Sequence, residues 1–258
     1  MSLGMEKIDT HVHCGAYSVV LIRGTGFDDL TRMMERANIR IACVSHTDAV
    51  FHDMVAGNAR LFSALERYPR LRGYIYVDPH RPEASLAEIE KYAGHPQAVG
   101  IKSRSEYHGL PFDCPEYLRI LRAAERHGLA MLHHTFGIDV ARQMAPVMRD
   151  LEMSFIVGHS GGLAYREVAD LLADLPNAYF DLCSSIIERG KARAIADIVG
   201  PERLIFGTDM NLISPFWTIG MFESGGFSEA ELRRIYWETP KRVLKIGTEP
   251  QRHRGTEE

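Results

Sequence analysis

Short apolar runs alternate with amphipathic stretches along this 258-residue sequence, and only a few folds accommodate such a rhythm. Each apolar or β-branched run is followed by a turn and then by a stretch of about 10 to 15 residues with helical periodicity. Alternating strands and helices predict a parallel sheet, because each helix returns the chain to the start of the next strand. The predicted strands are Lys7–His13, Arg40–Ser45, Gly73–Val77, Ala98–Ser103, Ala130–His134, Ser154–Gly158, Ala178–Leu182 and Arg203–Thr208.

Residues at helix ends support the helices between these strands. Ser228 and Glu231 have the spacing of a capping box. Pro240 should kink or break the last helix, because proline has no N–H group to donate. The predicted helices are Asp28–Ala37, Gly57–Arg67, Pro82–Tyr92, Pro115–His127, Ile138–Arg149, Tyr165–Leu175, Ile186–Val199 and Ser228–Leu244.

Eight strand–helix units in about 250 residues favour an α/β fold, a single-domain (β/α)8 TIM barrel. In that fold the active site lies at the C-terminal ends of the strands. The alternative is an open, doubly wound sheet, but no Gly-x-Gly-x-x-Gly motif follows any predicted strand. The barrel is predicted to span residues 5–246, and the polar tail over residues 247–258 is expected to be disordered.

Composition limits the classes of partner. The net charge of −4 gives no electrostatic reason to expect nucleic acid or an anionic membrane as a partner. No apolar run approaches the roughly 20 residues of a membrane span, and the first residues lack the pattern of a secretory signal. The cysteines are scattered without C-x-x-C spacing, which favours a reducing, cytoplasmic location. They are Cys14, Cys43, Cys114 and Cys183.

Metal-binding residue types collect at the predicted C-terminal ends of the strands. His11 and His13 are separated by one residue, so on a strand their side chains share a face, with Cα atoms about 6.6 Å apart. The pair alone is weak evidence, because 12 histidines in this chain produce about 0.5 such pairs by chance. Repeated placement at the same end of successive strands is strong evidence for a site. The residues at these ends are His11, His13, Lys102, Arg104, His133, His134, His159 and Asp209.

The order of these motifs resembles the amidohydrolase superfamily, and is most similar to its amidohydrolase-related branch of TIM-barrel hydrolases and decarboxylases. The order runs from His-x-His at strand one through a histidine at strand five and His-Ser-Gly-Gly at strand six to Gly-Thr-Asp at strand eight. Further similar pieces are Gly57-Asn58, Tyr68-Pro69, Val77-Asp78-Pro79, Val99-Gly100-Ile101-Lys102 and Phe180-Asp181. The resemblance extends over nearly the whole chain.

The resemblance implies a site for one divalent metal ion. Its ligands would be His11, His13, the strand-five histidine and Asp209. His134 is preferred to His133 as the strand-five ligand, because the family usually has histidine followed by threonine. Imidazoles with one carboxylate suit Zn²⁺, the preferred ion, with Mn²⁺ or another divalent ion as the alternative.

The resemblance also implies that His159 faces the bound water or substrate. Asp209 and His159 are therefore the predicted catalytic residues, and the sequence does not decide which of them moves the proton. Two purely structural alternatives stay open: His159 could be a buried core residue, and Asp209 could cap the following loop. Asp181 could be either a buried structural partner or a residue that orients a metal ligand.

Lys102 lies where binuclear relatives carry a carboxylated lysine that bridges two metal ions. A single ion is commoner in this branch, so Lys102 is predicted to meet a substrate anion or a structural carboxylate. Arg104, His108 and Arg23 are the other candidates for binding a substrate carboxylate. The segment 211–227 could cover the pocket as an apolar lid, or pack on the barrel or against another protomer.

The predicted function is that of a metal-dependent hydrolase. A metal-activated water would attack an ester, lactone or amide bond of a small, anionic substrate. The first alternative is a metal-dependent, non-oxidative decarboxylase of an aromatic or unsaturated carboxylic acid. The second is a non-catalytic barrel that binds a metal or ligand. The expected partner is a small molecule, and the sequence leaves open whether the chain forms a homo-oligomer.

Overall fold

The computed structural model describes residues 4–18, 21–184, 186 and 188–247, except for the side chains of residues 106 and 107. In this part of the chain, seven parallel strands form one curled sheet in which each strand pairs with the next along the sequence. This confirms the predicted α/β class and agrees with a TIM-like barrel. The strands are β1 (Lys7–Cys14), β2 (Ile39–His46), β3 (Leu71–Tyr76), β4 (Ala98–Ser103), β5 (Ala130–Phe136), β6 (Phe155–Gly161) and β7 (Ala178–Phe180).

Helices follow the strands in the predicted alternation, and none that the structure describes has the length and hydropathy to cross a bilayer. The helices are α1 (Phe27–Arg36), α2 (Thr47–Phe51), α3 (Met54–Leu65), α4 (Pro82–Tyr92), α5 (Ser105–His108), α6 (Pro115–Arg126), α7 (Ile138–Asp150), α8 (Tyr165–Leu171), α9 (Lys191–Val199), α10 (Pro215–Glu223), α11 (Glu229–Arg233) and α12 (Thr239–Val243). Residues 248–258 of the predicted tail lie outside the described residues.

Three helix boundaries differ from the prediction by three residues or more. Helix α3 begins three residues early, at Met54, because the Asp53 side chain accepts a hydrogen bond from the N–H of Ala56 at 2.7 Å and caps the helix. Helix α8 ends at Leu171, and helix α9 begins only at Lys191. The residue before Lys191 is Gly190 in the left-handed conformation, which lets the chain turn into the helix there.

The predicted eighth strand, Arg203–Thr208, is wrong as a regular strand. This segment still lies between β7 and β1, since Ile205 N–H donates to the carbonyl of Phe180 at 3.0 Å and Thr10 N–H donates to the carbonyl of Phe206 at 2.9 Å. The ladder is interrupted because a side chain replaces one of its acceptors. The carboxylate of Asp9 accepts hydrogen bonds from both the N–H and the hydroxyl of Thr208.

The last helix is divided, as predicted from Pro240. A π-helical turn over Arg234–Glu238 separates helices α11 and α12. Proline cannot donate to a carbonyl in the preceding turn, so the regular helical pattern is lost just before it. The capping box at Ser228 is confirmed, because Ser228 N–H donates to the Glu231 carboxylate at 2.7 Å and Glu231 N–H donates to the Ser228 hydroxyl at 3.3 Å.

Two apolar clusters hold the strands in place. The larger one lies between the helices and the sheet. The smaller one contains side chains from successive strands, and it is completed by Val243, Leu244 and Ile246 at the end of the chain. Side chains two residues apart on a strand share a face. The buried Leu132 and Tyr179 therefore sit below His134 and Asp181, and this packing fixes the strand ends that carry the polar residues.

His46 connects β2 to helix α2. Its Nδ1 accepts a hydrogen bond from the N–H of Asp48 at 3.1 Å, so this nitrogen must be unprotonated for the helix cap to form. Burial, together with the nearby Arg60 guanidinium, lowers the pKa of His46 to about 4. In the unfolded chain the pKa of a histidine is about 6.5. The folded state therefore binds this proton less readily than the unfolded state does.

We predict that His46 makes the protein less stable as the pH falls from about 6.5 towards 4. Between pH 7 and pH 5, His46 should account for a loss of about 2 kcal/mol in the free energy of unfolding. Urea unfolding of wild type and His46→Asn at both pH values tests this, because asparagine keeps a cap acceptor but does not titrate. Equal losses in the two proteins would contradict the prediction.

Candidate metal centre and cavity

His11 lies at the centre of the polar strand ends and is fully buried. Its Nδ1 lies 2.8 Å from Asp181 Oδ2, and a carboxylate can only accept, so the proton is on Nδ1 and the lone pair is on Nε2. Gly158 and Gly207 pack against this side chain. A Cβ atom at Gly207 would lie 3.0 Å from His11 Cβ, and one at Gly158 would lie 3.2 Å from His11 Cε1. Glycine at both positions therefore makes room for the imidazole.

The ligand atoms of His11, His13 and Asp209 all lie within 4.8 Å of one another. Asp209 Oδ1 is 3.2 Å from His13 Nε2 and 3.9 Å from His11 Nε2. The other nitrogen of His13 lies 2.8 Å from the Ser45 hydroxyl, which orients the ring with Nε2 towards Asp209. Two imidazole nitrogens and one carboxylate fit a divalent cation such as Zn²⁺ or Mn²⁺. These residues are three of the four predicted ligands.

The fourth predicted ligand, His134, is hydrogen-bonded to His159 instead. His159 Nδ1 lies 2.6 Å from the carbonyl oxygen of Cys183, so it must donate, and Nε2 is then the acceptor. His134 Nδ1 donates to that Nε2 at 2.8 Å. Burial lowers the pKa of His159 to about 4, and the pKa of His134 also lies well below its usual value, chiefly because of burial. Both rings are therefore neutral at pH 7.

The two adjacent histidines of β5 point in different directions. His134 lines the cavity described below, whereas His133 is packed under α6, with its ring centroid 6.4 Å from that of Tyr117 on this helix and 4.6 Å from that of Phe112 just before it. His133 Nε2 accepts a hydrogen bond from the N–H of Ser105 at 3.3 Å. The structure thus places at the cavity the histidine that the sequence preferred, because neighbours on a strand face opposite sides.

Two acidic side chains hold this cluster in its charge state. Burial alone would raise both of their pKa values, but interactions with neighbouring histidines outweigh it. The electrostatic interaction with His11, together with its hydrogen bond, lowers the pKa of Asp181 to about 2, and the hydrogen bond from His13 lowers the pKa of Asp209 below its usual range. Asp209 and Asp181 are therefore ionised at pH 7, next to imidazoles that are neutral. Asp181 contacts His11, a candidate metal ligand, directly, which favours the role of orienting that ligand over a purely structural one.

Lys102 lies in the middle of the polar cluster around His11 and not at the edge of that cluster. Its side chain is 2% exposed, and Nζ is 2.9 Å from His11 Nε2. Burial lowers the pKa of Lys102 to about 8, with the Asp209 and Asp181 carboxylates acting in the opposite direction. The sequence predicted a substrate anion or a carboxylate as its partner, and the structure gives it an imidazole.

A cavity of about 460 Å³ opens above these residues. Its polar floor contains the predicted site residues His13, Lys102, His134, His159 and Asp209, and its walls are largely apolar or aromatic. The remaining lining residues are Tyr17, Val50, Phe51, Tyr76, Arg104, Phe136, Ser184, Leu212 and Ile213. A pocket of this size, with a polar floor and apolar walls, fits a small molecule that has both a polar and an apolar part.

Two of the predicted anion-binding residues are elsewhere. His108 lines a neighbouring cavity of about 430 Å³, with Nδ1 3.1 Å from the Tyr117 hydroxyl and Nε2 3.8 Å from Asp78. Arg23 is exposed and lines neither cavity. Arg23 lies in the loop after β1 and His108 ends the short helix α5 after β4, so the direction of neither side chain could be derived from strand periodicity. Arg104 reaches the main cavity as predicted.

The segment 211–227 covers the cavity only at its start. Leu212 and Ile213 line the cavity, whereas Met221 and Phe222 on α10 are buried in the main core. The start of the segment therefore covers the cavity, as the lid alternative predicted, and α10 packs on the barrel, as the other alternative predicted. Sequence reasoning also missed Phe136, although it lies two residues after His134 and therefore on the same face of β5.

The chain belongs to the amidohydrolase family, because the family model described as amidohydrolase matches residues 8–246. This match confirms the resemblance stated from the sequence. No curated protein matches this sequence.

Solved structures with a similar fold include both decarboxylases and hydrolases. The dihydroxybenzoic acid decarboxylase from Polaromonas, solved with manganese and 2-nitroresorcinol bound, is 16% identical, with a TM-score of 0.77 over 93% of this chain and 97% of the other. The 5-carboxyvanillate decarboxylase from Sphingomonas paucimobilis is 13% identical, with a TM-score of 0.76 over 93% and 99%. A Pseudomonas putida protein, provisionally assigned as a 2-pyrone-4,6-dicarboxylic acid hydrolase, is 16% identical, with a TM-score of 0.75 over 93% and 98%. At these identities the comparison supports the fold alone.

We predict that the two neighbouring histidines of β5 separate metal binding from stability. His134→Gln should weaken zinc binding about 100-fold and leave the free energy of unfolding within about 1 kcal/mol of wild type. His133→Gln, the matched control, should keep zinc affinity but lose about 2 kcal/mol, because it disturbs the packing against Phe112. Competition with a chromophoric chelator and urea unfolding measure the two quantities. The opposite pattern would contradict the assignment.

Proposed function

We propose that this protein is a metal-dependent hydrolase that cleaves an ester, lactone or amide bond in a small, anionic substrate. The ionised carboxylate of Asp209, on the cavity floor beside two neutral imidazoles, carries this proposal. Such a carboxylate can accept a proton from an attacking water molecule. Burial keeps the imidazoles of this floor unprotonated at pH 7, so they are bases and not acids.

The proposed ligands of one divalent ion are His11, His13, Asp209 and, through Nε2, His134. Zn²⁺ is the preferred ion, and Mn²⁺, present in a structural relative, is the alternative. When bound, such an ion supplies a Lewis acid that polarises the substrate oxygen and lowers the pKa of water. Asp181 and Ser45 orient the two strand-one imidazoles by bonding their Nδ1 atoms.

The remaining steps follow from the positions of this chain's own residues. Asp209 would accept the proton of the attacking water and then deliver the same proton to the leaving group. The 2.8 Å hydrogen bond from His134 would hold the neutral His159 ring at the cavity floor, where it can contact the substrate. Lys102 and Arg104 would hold the substrate carboxylate, because both cations line the cavity.

A second candidate is a non-oxidative decarboxylase of an aromatic carboxylic acid. The aromatic walls formed by Phe51, Tyr76 and Phe136, facing the Lys102 and Arg104 cations, favour it. With a pKa of about 8, Lys102 would be protonated at pH 7 and could donate a proton to the ring carbon that loses CO₂. Several structural relatives are decarboxylases, although their low identity carries no residue-level argument.

We further propose that residues 204–211 take the place of an eighth strand and close a single-domain barrel. The hydrogen bonds of this segment to both β7 and β1 support this. A cytoplasmic location is proposed as well, because the four cysteines are free thiols that suit a reducing compartment. Small molecules are the proposed partners.

The products distinguish the two reactions. In ¹⁸O-labelled water, hydrolysis should place one label in each acid product, whereas decarboxylation should release CO₂ without labelling the organic product. The zinc- and manganese-loaded enzyme would be tested with aryl esters, lactones and hydroxybenzoates. We predict labelled acid and no CO₂, and CO₂ from the hydroxybenzoates alone would establish the second candidate instead.

Asp209→Asn should reduce the hydrolytic kcat/KM at least about 1000-fold, because the amide can neither accept the proton nor supply the same ligand. Asp197→Asn, on the exposed side of α9, is the matched control and should retain wild-type activity. Full activity in Asp209→Asn would contradict the proposed mechanism.

A further inference from the structure

Lys102 and a metal ion would require the same lone pair of His11. Because Asp181 accepts the Nδ1 proton of His11, the Nε2 lone pair points away from Asp181 and towards Lys102. Lys102 Nζ lies 2.9 Å from that nitrogen and donates a hydrogen bond to it. This nitrogen of His11 also lies 3.9 Å from Asp209 Oδ1 and belongs to the candidate metal centre.

A single imidazole lone pair cannot accept a hydrogen bond and coordinate a cation at the same time. Metal binding at His11 therefore requires that the bond to Lys102 be broken. It also leaves a buried amino group without this acceptor, which is unfavourable unless another acceptor replaces it. Because the hydrogen bond opposes the ion, Lys102 should weaken metal binding when no other partner is present.

The main cavity offers Lys102 its second position. Lys102 lines this cavity together with Arg104, and the walls around them are apolar and aromatic. The carboxylate of a small ligand in this cavity would accept from the amino group and restore its lost hydrogen bond. The flexible four-carbon side chain of lysine allows its amino group to change partners.

We propose that Lys102 exchanges partners, from His11 to the anionic group of the substrate, and thereby makes metal and substrate bind cooperatively. This inference rests on the proposed metal centre and assigns a second role to a residue within it. By linkage, an anion that draws Lys102 away from His11 strengthens metal binding, and the metal strengthens anion binding by the same factor.

Mn²⁺ titration with and without benzoate tests this proposal, because the electron paramagnetic resonance signal of free Mn²⁺ gives the dissociation constant directly. Four proteins are compared: wild type, Lys102→Met, the surface control Lys91→Met, and His13→Ala. Methionine resembles the lysine side chain in size but donates no hydrogen bond. Lys91 is half-exposed on α4, so its replacement makes the same change of charge away from the site.

Without benzoate, Lys102→Met should bind Mn²⁺ about tenfold more tightly than wild type. Saturating benzoate should tighten Mn²⁺ binding about tenfold in wild type and in Lys91→Met, but less than about twofold in Lys102→Met. Unchanged affinity in Lys102→Met, or weaker affinity, would overturn the proposal, the latter by making Lys102 itself a ligand. The benzoate effect in wild type needs no variant, so a misfolded Lys102→Met would not prevent the test.

His13→Ala separates the failure of this inference from the failure of the proposed function. If wild type binds Mn²⁺ and His13→Ala does not, the metal centre stands, and the benzoate and Lys102→Met results decide on the exchange alone. If wild type does not bind Mn²⁺, both the metal centre and the exchange are wrong.

Discussion

The hydrogen bond between Asp181 and His11 is the interaction on which the site depends. Asp181 is fully buried, and its carboxylate also accepts from the N–H of His159 at 2.7 Å and from the Cys183 thiol at 3.1 Å. One side chain thus joins β1, β6 and the residues after β7. It fixes the tautomer of His11. In that tautomer Nε2 carries the lone pair, so Nε2 is the atom that can bind a metal ion or accept a hydrogen bond from Lys102. Removing the carboxylate would leave several buried donors without an acceptor, which is strongly unfavourable.

This arrangement places charged and polar groups where a barrel otherwise has an apolar interior. The smaller apolar cluster below the site offsets that cost by packing the same strands tightly. Glycine at Gly158 and Gly207 lets the backbone approach His11 closely, because a Cβ atom at either position would crowd the imidazole. Packing and polar chemistry therefore depend on the same strand positions. A change that enlarges either glycine should displace the ring before it changes the fold.

Strand periodicity made most of the site predictable. It placed His11 and His13 on one face, and the alternation of strands and helices placed Lys102, His159 and Asp209 at the same rim. The irregular closing segment was not predictable, because it results from the Asp9 side chain replacing a backbone acceptor for Thr208. Nothing in a local pattern indicates that a carboxylate from a distant strand will do this.

Residues outside the strands were the other part of the site that could not be predicted from the sequence. The sequence marked His108 and Arg23 as anion-binding candidates by residue type, and neither lines the main cavity. It did not mark Tyr17 or Phe51, which do line it. Strand positions inherit their direction from a repeating geometry, whereas loop positions depend on long-range packing. The choice between His133 and His134 could be predicted only in part. Strand periodicity shows that the two side chains face opposite sides of β5, but the packing of His133 under α6 decides that His134 is the one that faces the cavity.

Anomalous diffraction at the zinc edge, from crystals of the zinc-loaded protein, tests the central claim most directly. The account predicts one peak per chain about 2.0 to 2.2 Å from His11 Nε2, His13 Nε2, His134 Nε2 and an Asp209 oxygen, with Lys102 Nζ no longer hydrogen-bonded to His11. A peak at another position, two peaks bridged by Lys102, or no peak at full zinc loading would contradict it.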